Sequence, residues 1–334
     1  MSQWMPAVAN EPVVHASGAS RSMLDDGRWH FQHGPIDIIV GVEGDTEAVE
    51  GALADSWERF TQILPELVTE LPLLRARAQA NSTVHGAIAN RMLDACRPYM
   101  DRVFATPMAA VAGSVAEDLI RFFVPRKGIR RAYVNNGGDI ALHVAAGECY
   151  RVGLFSDLGR YQGQNIELDG TFEISADLPV RGIATSGWRG RSQSLGIADS
   201  VTVLASSAAV ADVAATLIAN HVNVDHVGIH RAPADTLKDD TDLGSLLVTV
   251  QVDALPRPAI DFALDAGAEF ARHLHSQKLI HSAVLMLQGS VRVVGEVGEP
   301  THQEPPGTAP RLDFQLVAEP QGSAENKVHK DSHV

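Results

Sequence analysis

The chain has 334 residues, and its 45% hydrophobic content includes only 5% aromatic residues, so the core must be built mostly from Ala, Val, Leu and Ile. That length suits one large domain or two ordinary ones. The formal net charge of −14 gives an acidic surface, which repels phosphodiester backbones and argues against nucleic acid as a partner.

Neither a membrane span nor a secretion signal is expected. No apolar run approaches the ~18 residues that a membrane helix needs, and residues 1–19 lack a basic and then apolar leader. The two cysteines, Cys96 and Cys149, are predicted to be free thiols in a reducing cytosol. We therefore expect a cytoplasmic protein without a membrane partner, and a homo-oligomer is a further expectation.

The first part of the chain predicts strands followed by helices. Residues 1–24 are expected to be a flexible lead-in, and a turn at His33-Gly34-Pro35 separates two predicted strands. A helix is predicted over 47–64, and Pro65 is expected to break the segment that follows it.

Residues 106–123 form a run of small side chains. Thr106 suits an N-cap and Pro107 the first helical position, so the run predicts a helix. Ala and Gly between 109 and 116 allow close approach by another backbone or a ligand. The helix is therefore expected either to be tightly packed in the core or to border an active site.

Two glycine-containing turns follow predicted strands, at 135–139 and at 185–187. Backbone N–H groups of such turns can approach an anion closely, although Gly-Gly beside Asn is also ordinary hairpin chemistry. Two arginines follow the second turn and predict either anion binding or a solvated loop. The predicted ligand-binding residues are Asn136, Gly137, Gly138, Asp139, Thr185, Ser186, Gly187, Arg189 and Arg191.

The helix predicted over 208–220 carries a candidate cation site. Asp212 and Thr216 are four residues apart, which places both on one helix face. Carboxylate and hydroxyl oxygens suit a hard cation such as Mg²⁺. The alternative is that Asp212 only interacts favourably with the helix dipole near the N-terminus.

Two residues are predicted to be catalytic, Asp212 and His33. A turn can present His33 to a pocket, and an unperturbed histidine titrates near neutral pH. His30 is the substitute for this role, and a purely structural role for either histidine stays open.

The remaining pattern predicts an antiparallel meander over 150–175, a surface loop over 233–244 and a helix over 260–275. One or two closing strands are expected over 281–294. Residues 296–334 lack periodicity and are predicted to be a disordered tail.

The order of these motifs resembles the ApbE superfamily, the flavin transferases that attach FMN to protein threonines or serines. The segments Arg28–Asp37 and Asp242–Val248 resemble a divergent branch, the UPF0280 proteins. The resemblance covers about residues 25–295 and implies a single α/β domain, with α+β mixed sheets, packed helices and an ApbE-like, T-fold-like architecture. It also implies that Asp212 and Thr216 hold Mg²⁺ and that the two turns line a binding site for FAD or FMN.

The chain departs from the transferases at two places. Residues 187–201 contain no His and no Pro where the transferases carry His-x-x-Asp-Pro-x-Thr-Gly, and residues 109–116 lack their lysine. The leading expectation is therefore an enzyme that acts on a small anionic, heterocyclic metabolite by hydrolysis, isomerisation or group transfer. The alternatives are a Mg²⁺-dependent FAD:protein FMN transferase and a non-catalytic flavin- or pterin-binding protein.

Overall fold

The computed structural model describes residues 13–124, 126–154, 170–296 and 311–312. In this part of the chain the α-helices are α1 (Thr46–Thr69), α2 (Leu71–Leu74), α3 (Ala87–Cys96), α4 (Val111–Ile120), α5 (Ala208–His221) and α6 (Arg257–Ser276). The strands are β1 (Val13–Val14), β2 (Ser20–Met23), β3 (Trp29–His33), β4 (Ile36–Gly44), β5 (Ile129–Asn136), β6 (Asp139–Val144), β7 (Cys149–Leu154), β8 (Gly170–Ser175), β9 (Gly182–Ser186), β10 (Ser200–Ala205), β11 (Ile229–Pro233), β12 (Leu247–Val252), β13 (Ser282–Leu287), β14 (Ser290–Gly295) and β15 (Arg311–Leu312). None of the helices in the described ranges has the length and apolar character that crossing a membrane requires.

Ten strands form one sheet in the order β1-β2-β3-β4-β5-β6-β9-β10-β13-β14. Every neighbouring pair in this sheet is antiparallel. Strands β7, β8 and β15 form a second sheet, and β11 and β12 form a separate hairpin. The mixed α/β class is therefore confirmed, and the T-fold-like architecture stays a prediction.

The large sheet is covered on both faces, because its central strands are apolar on both sides. On one face, Val134, Ala141 and Ala184 belong to the main core with the helices. On the other face, Leu142 and Ile183 pack with residues of β7 and β8 in a smaller core. The helix-covered face is the one that carries the candidate site.

The beginning of the chain differs from the expected flexible lead-in. Strand β2 pairs with β3 in an antiparallel hairpin. The N–H of Leu24 donates to the carbonyl of Arg28 at 2.7 Å, and Gly27 has a φ of 84°. Glycine adopts this conformation without a steric cost, so it closes the turn and adds β2 to the sheet.

Pro65 lies inside α1 and does not end it, contrary to the prediction. Proline removes a helix N–H and usually breaks a helix. Here Ile63 is fully buried and Leu67 is 7% exposed, so the apolar contacts on both sides of Pro65 hold the helix to the core.

Strands β7 and β8 match the first and last parts of the meander predicted over 150–175, and its middle part lies outside the described residues. Most of the predicted disordered tail also lies outside them. Arg311 and Leu312 are described, and they pair in parallel with Arg151 and Val152 of β7. This pairing differs from the expectation of disorder, because backbone hydrogen bonds to an open strand edge do not need a periodic sequence.

Candidate functional site

Helices α4 and α5 cross so closely at Gly113 that no side chain fits there. A Cβ atom on Gly113 would overlap the carbonyl oxygen of Ala208 and lie 2.9 Å from the Cβ of Asp212. The run of small residues in α4 is therefore explained by close packing. The same contact brings Asp212 against the first turn of α4, so the helix also borders the candidate site.

The two helices provide hydrogen-bond acceptors for each other's N-termini. The N–H of Gly113 donates to Oδ2 of Asp212 at 2.9 Å, and the N–H of Ala209 donates to Oε2 of Glu117 at 3.2 Å. Ala110, the residue before α4, has no side-chain acceptor of its own, so Asp212 satisfies an N–H that would otherwise lack a partner.

Asp212 also faces a second carboxylate, Asp139, at the start of β6. Asp212 is only 9% exposed, and burial raises its pKa to about 7, against the opposing effect of the N–H groups of Gly113 and Ala112. The pKa of Asp139 is raised well above its usual range, first by burial and then by the charge of Asp212. Because two close, desolvated carboxylates resist ionising together, the pair holds a proton into the neutral pH range.

The glycine turn beside Asp139 is an ordinary hairpin that also touches α4. Gly137 and Gly138 have φ values of 67° and 111°, and the N–H of Gly138 donates to Oδ1 of Asn135 at 2.8 Å. This N–H is thus used within the turn, contrary to the idea that it cradles an anion. The amide of Asn136 donates to the carbonyl of Ala112 at 3.2 Å and ties the turn to α4.

The structure separates the two predicted anion-binding arginines. Arg189 pairs with Asp199 at 3.2 Å and lies over the ring of Trp188 at 5.1 Å from its centroid. Arg191 packs against Gly137, and its charge lowers the pKa values of Asp139 and Asp37. Across the described residues Arg191 has no ion pair within 4.0 Å, whereas Arg189 is paired with Asp199, so Arg191 is the candidate of the two for binding an anion.

Strand β9 contributes to the candidate site more through its backbone than through its side chains. The Thr185 hydroxyl lies 2.9 Å from that of Thr202, on the sheet face that carries Ile183 and β7–β8. The backbone N–H of Thr185, in contrast, is hydrogen-bonded to Asp139 and lowers the pKa of that carboxyl group. Ser186 pairs with Val201 and points to the helix-covered face. Gly187 is pressed against the carbonyl of Asp199, which leaves no space for a side chain.

Thr216 lies one turn after Asp212 on α5 and is partly buried. Within the described ranges its hydroxyl has no hydrogen-bond partner, and no group of three or more His, Cys, Asp and Glu residues is placed to hold a metal. Two carboxylates and a free hydroxyl nevertheless fit Mg²⁺, which often keeps several waters and uses ligand phosphates to complete its coordination.

The structure does not bring His33 to these carboxylates. Its Nε2 lies 3.0 Å from the carbonyl of Ser17, its ring packs at 6.2 Å from that of Phe60, and β3 is three strands from β6 in the sheet. His30 bonds to Asp37 at 3.0 Å, and this contact raises its pKa. A catalytic role for either histidine stays a prediction.

Comparison with known proteins shows the family of this chain. The family model described as "AbpE bacteria" matches residues 21–293. The chain belongs to this family. The match includes both helices of the crossing and both glycine turns, so the candidate site lies wholly within the family domain.

Curated archaeal relatives carry the name "UPF0280 protein". The relative from Methanosphaerula palustris is 32% identical over 197 residues, which cover 58% of this chain and 77% of that protein. The one from Methanopyrus kandleri is 38% identical over 185 residues, covering 54% and 69%. The one from Methanothermobacter thermautotrophicus is 44% identical over 120 residues, covering 35% and 43%, so there the match spans less than half of the relative. The predicted UPF0280 branch is confirmed.

Proposed function

We propose that the chain is an enzyme that binds a small anionic, heterocyclic metabolite between Arg191 and the Asp139–Asp212 pair. The observation that carries this proposal is the pair itself, two desolvated carboxylates with raised pKa values. Holding them together costs stability, and perturbed carboxylates of this kind cluster at functional sites. The arginine beside them supplies the charge that an anion needs.

Each residue has its own role in this proposal. Arg191 binds the anionic group of the ligand through charge-assisted hydrogen bonds. Asp212, whose pKa lies at about 7, donates or accepts a proton at neutral pH, where general acid–base catalysis is most effective. Asp139 shares the proton of the pair with Asp212. Asn136 holds the hairpin on which Asp139 lies.

Mg²⁺ is the cofactor that the same oxygens would hold. Asp139, Asp212 and the Thr216 hydroxyl are the ligands, and the bound ion would neutralise and orient a phosphate or carboxylate of the substrate. Protons and Mg²⁺ compete for these carboxylates, so Mg²⁺ affinity is expected to rise with pH through the range near 7.

A second candidate function is Mg²⁺-dependent transfer of FMN from FAD to a protein threonine or serine. It is favoured by Asp212 and Thr216 sharing one face of α5 beside Asp139, in line with the resemblance to flavin transferases. The absence of a histidine between 187 and 201 speaks against it. A mass gain of FMN on a co-expressed acceptor protein would support this function over the first.

The experiment is thermal unfolding of the full chain with FAD, FMN, a pterin and a panel of heterocyclic carboxylates, each with and without Mg²⁺. A ligand at a hundred times its Kd raises the free energy of unfolding by about 2.7 kcal/mol. A shift with a small carboxylate identifies the substrate class for an activity assay. A Mg²⁺-dependent shift with FAD favours the transferase. Binding of a flavin or pterin without turnover would instead favour a non-catalytic binding protein. If no anion shifts the unfolding, the proposal is wrong.

A further inference from the structure

The carboxylate of Asp212 is nearly sealed from solvent, since the residue is only 9% exposed. A ligand or cation that contacts Asp212 directly therefore needs an element around this residue to move. The segment between β11 and β12 is hydrogen-bonded to elements next to the site, and its residues 235–240 are all exposed. Segments with few buried contacts open at the lowest free-energy cost.

The base of this segment is fixed by backbone hydrogen bonds. The N–H of Ala234 donates to the carbonyl of Leu246, and the N–H of Asp235 to that of Gly244, both at 2.9 Å. Between these bonds, the N–H groups of Leu237 and Lys238 donate to the carbonyl of Ala234 at 3.1 Å, whereas residues 239–242 make no backbone–backbone hydrogen bond in the described part of the chain. We refer to residues 236–243 as the strap.

One side of the strap is bound to the loop that carries Arg191. The ammonium group of Lys238 donates to the carbonyl of Arg191 at 3.0 Å, and the hydroxyl of Thr241 donates to Oε1 of Gln193 at 2.6 Å. The strap therefore begins at the arginine that we assign to anion binding.

The other side of the strap is bound to the start of the small-residue helix. The Thr106 hydroxyl donates to the carboxylate of Asp242 and does not cap the turn that follows it. Thr106 is 2% exposed and leads through the 3-10 helix Pro107–Ala110 into α4, whose Gly113 binds Asp212. This hydrogen bond joins the strap to the segment that leads into α4.

We propose that the strap is a lid over the Asp139–Asp212 site and that the Thr106–Asp242 hydrogen bond is its latch. The lid spans from the Arg191 loop to the start of α4, and releasing the latch admits the ligand. The inference rests on the proposed function for its purpose, but the latch itself is testable without any ligand.

The buried thiol of Cys96 can serve as a probe for opening of the strap. Cys96 is fully buried, and its thiol donates to the carbonyl of Thr106 at 3.5 Å. Burial, together with the charge of Asp212, raises its pKa to about 12, which suppresses the reactive thiolate while the strap is closed. The other thiol, Cys149, is partly exposed and is removed by Cys149→Ser.

The experiment measures the rate at which a disulfide reagent such as DTNB labels Cys96 in the full-length, ligand-free Cys149→Ser protein. Asp242→Ala removes the latch acceptor at a residue with no described contact to Cys96, and we expect labelling at least tenfold faster. Asp240→Ala is the matched control, because it removes an equal charge from the same strap and only loses an exposed pair with Arg75 at 3.0 Å. We expect less than a twofold change for this control.

Hydrogen exchange of the same variants separates local opening from general loosening. Faster exchange in residues 236–243 of Asp242→Ala, with unchanged exchange in α5, supports the lid. Equal labelling rates in Asp242→Ala and Asp240→Ala, or acceleration spread over the whole chain, would overturn it. Failure of the proposed function looks different, since the latch then still opens while no anion or Mg²⁺ stabilises the protein.

Discussion

The candidate site has a floor and a rim that differ in how their charges are held. At the floor, formed by Gly113, Asp139 and Asp212, burial raises the pKa of both carboxyl groups, and close packing at Gly113 holds Asp212 in place. The rim, formed by Arg189 and Arg191, is exposed. We therefore expect a charge at the floor to affect folding as well as the proposed chemistry, and a charge at the rim to affect the proposed ligand binding with little effect on folding.

The largest effect is expected from Gly113→Ala, which tests whether the floor depends on the helix crossing. A methyl group overlapping the Ala208 carbonyl should lower the free energy of unfolding by about 2–4 kcal/mol, measured by urea denaturation. Gly51→Ala is the control, because its Cβ meets only the flexible end of Arg126. The free energy of unfolding of this control is expected to change by no more than about 1 kcal/mol. Equal losses in both variants would show that the contact of α4 and α5 at Gly113 has no special effect on stability.

The next effect is on the pH dependence of stability. The pKa of Asp212 is raised from 3.8 to about 7 in the fold, so the folded state binds more protons than the unfolded state between these values. The free energy of unfolding should therefore fall as pH rises from 4 to 7, by up to about 1.4 kcal/mol per pH unit.

Asp212→Asn keeps an acceptor for the Gly113 N–H and removes the titrating group. We expect its unfolding free energy to fall less steeply over this pH range than that of the natural chain. Asp265→Asn, at an exposed residue paired with Arg292, is the control for the loss of one aspartate carboxylate, and the slope of Asp212→Asn should be shallower than the slope of this control. The same slope in all three proteins would show that Asp212 ionises normally.

At the rim, Arg191→Gln and Arg189→Gln form a matched pair. Removing Arg191, which has no ion pair among the residues that the structure describes, should weaken binding of an anionic ligand about 10- to 100-fold, with little change in stability. Removing Arg189, whose charge Asp199 already neutralises, should change affinity less than threefold. Calorimetric titration with the anion selected by thermal unfolding measures both, and equal losses would remove the distinction between the arginines.

The smallest effect is expected for Thr185→Val. The hydroxyl bonds to Thr202 on the sheet face away from Asp139, so ligand affinity should stay unchanged. Loss of that hydrogen bond lowers the free energy of unfolding by about 1 kcal/mol. A tenfold loss of affinity, with stability intact, would place the hydroxyl in the site after all.

Local patterns predicted much of the fold. Helix α5, Ala208–His221, covers the helix predicted over 208–220 and carries Asp212 and Thr216 on one face. This helix is determined by its own periodicity and by Ser207, whose hydroxyl accepts from the Val210 N–H.

The partners of the site residues could not be predicted in this way. Asp212 and Gly113 are 99 residues apart, and Thr106 and Asp242 are 136 residues apart, so no local pattern links them. The choice between Arg189 and Arg191 likewise depends on which of them Asp199 reaches in space. The burial that raises the pKa of Asp212 is a property of the helix crossing and not of its own segment.

The most direct measurement is a ¹³C NMR titration of the aspartate carboxyl groups in the ligand-free full chain, with Asp212→Asn to assign the signal. We predict one aspartate that titrates at about pH 7 and whose signal is absent from the variant. We also predict that the pKa of Asp139 falls in that variant, because the charge of Asp212 raises it. If every aspartate titrates near 3.8, the carboxylates at the floor are not a coupled, desolvated pair.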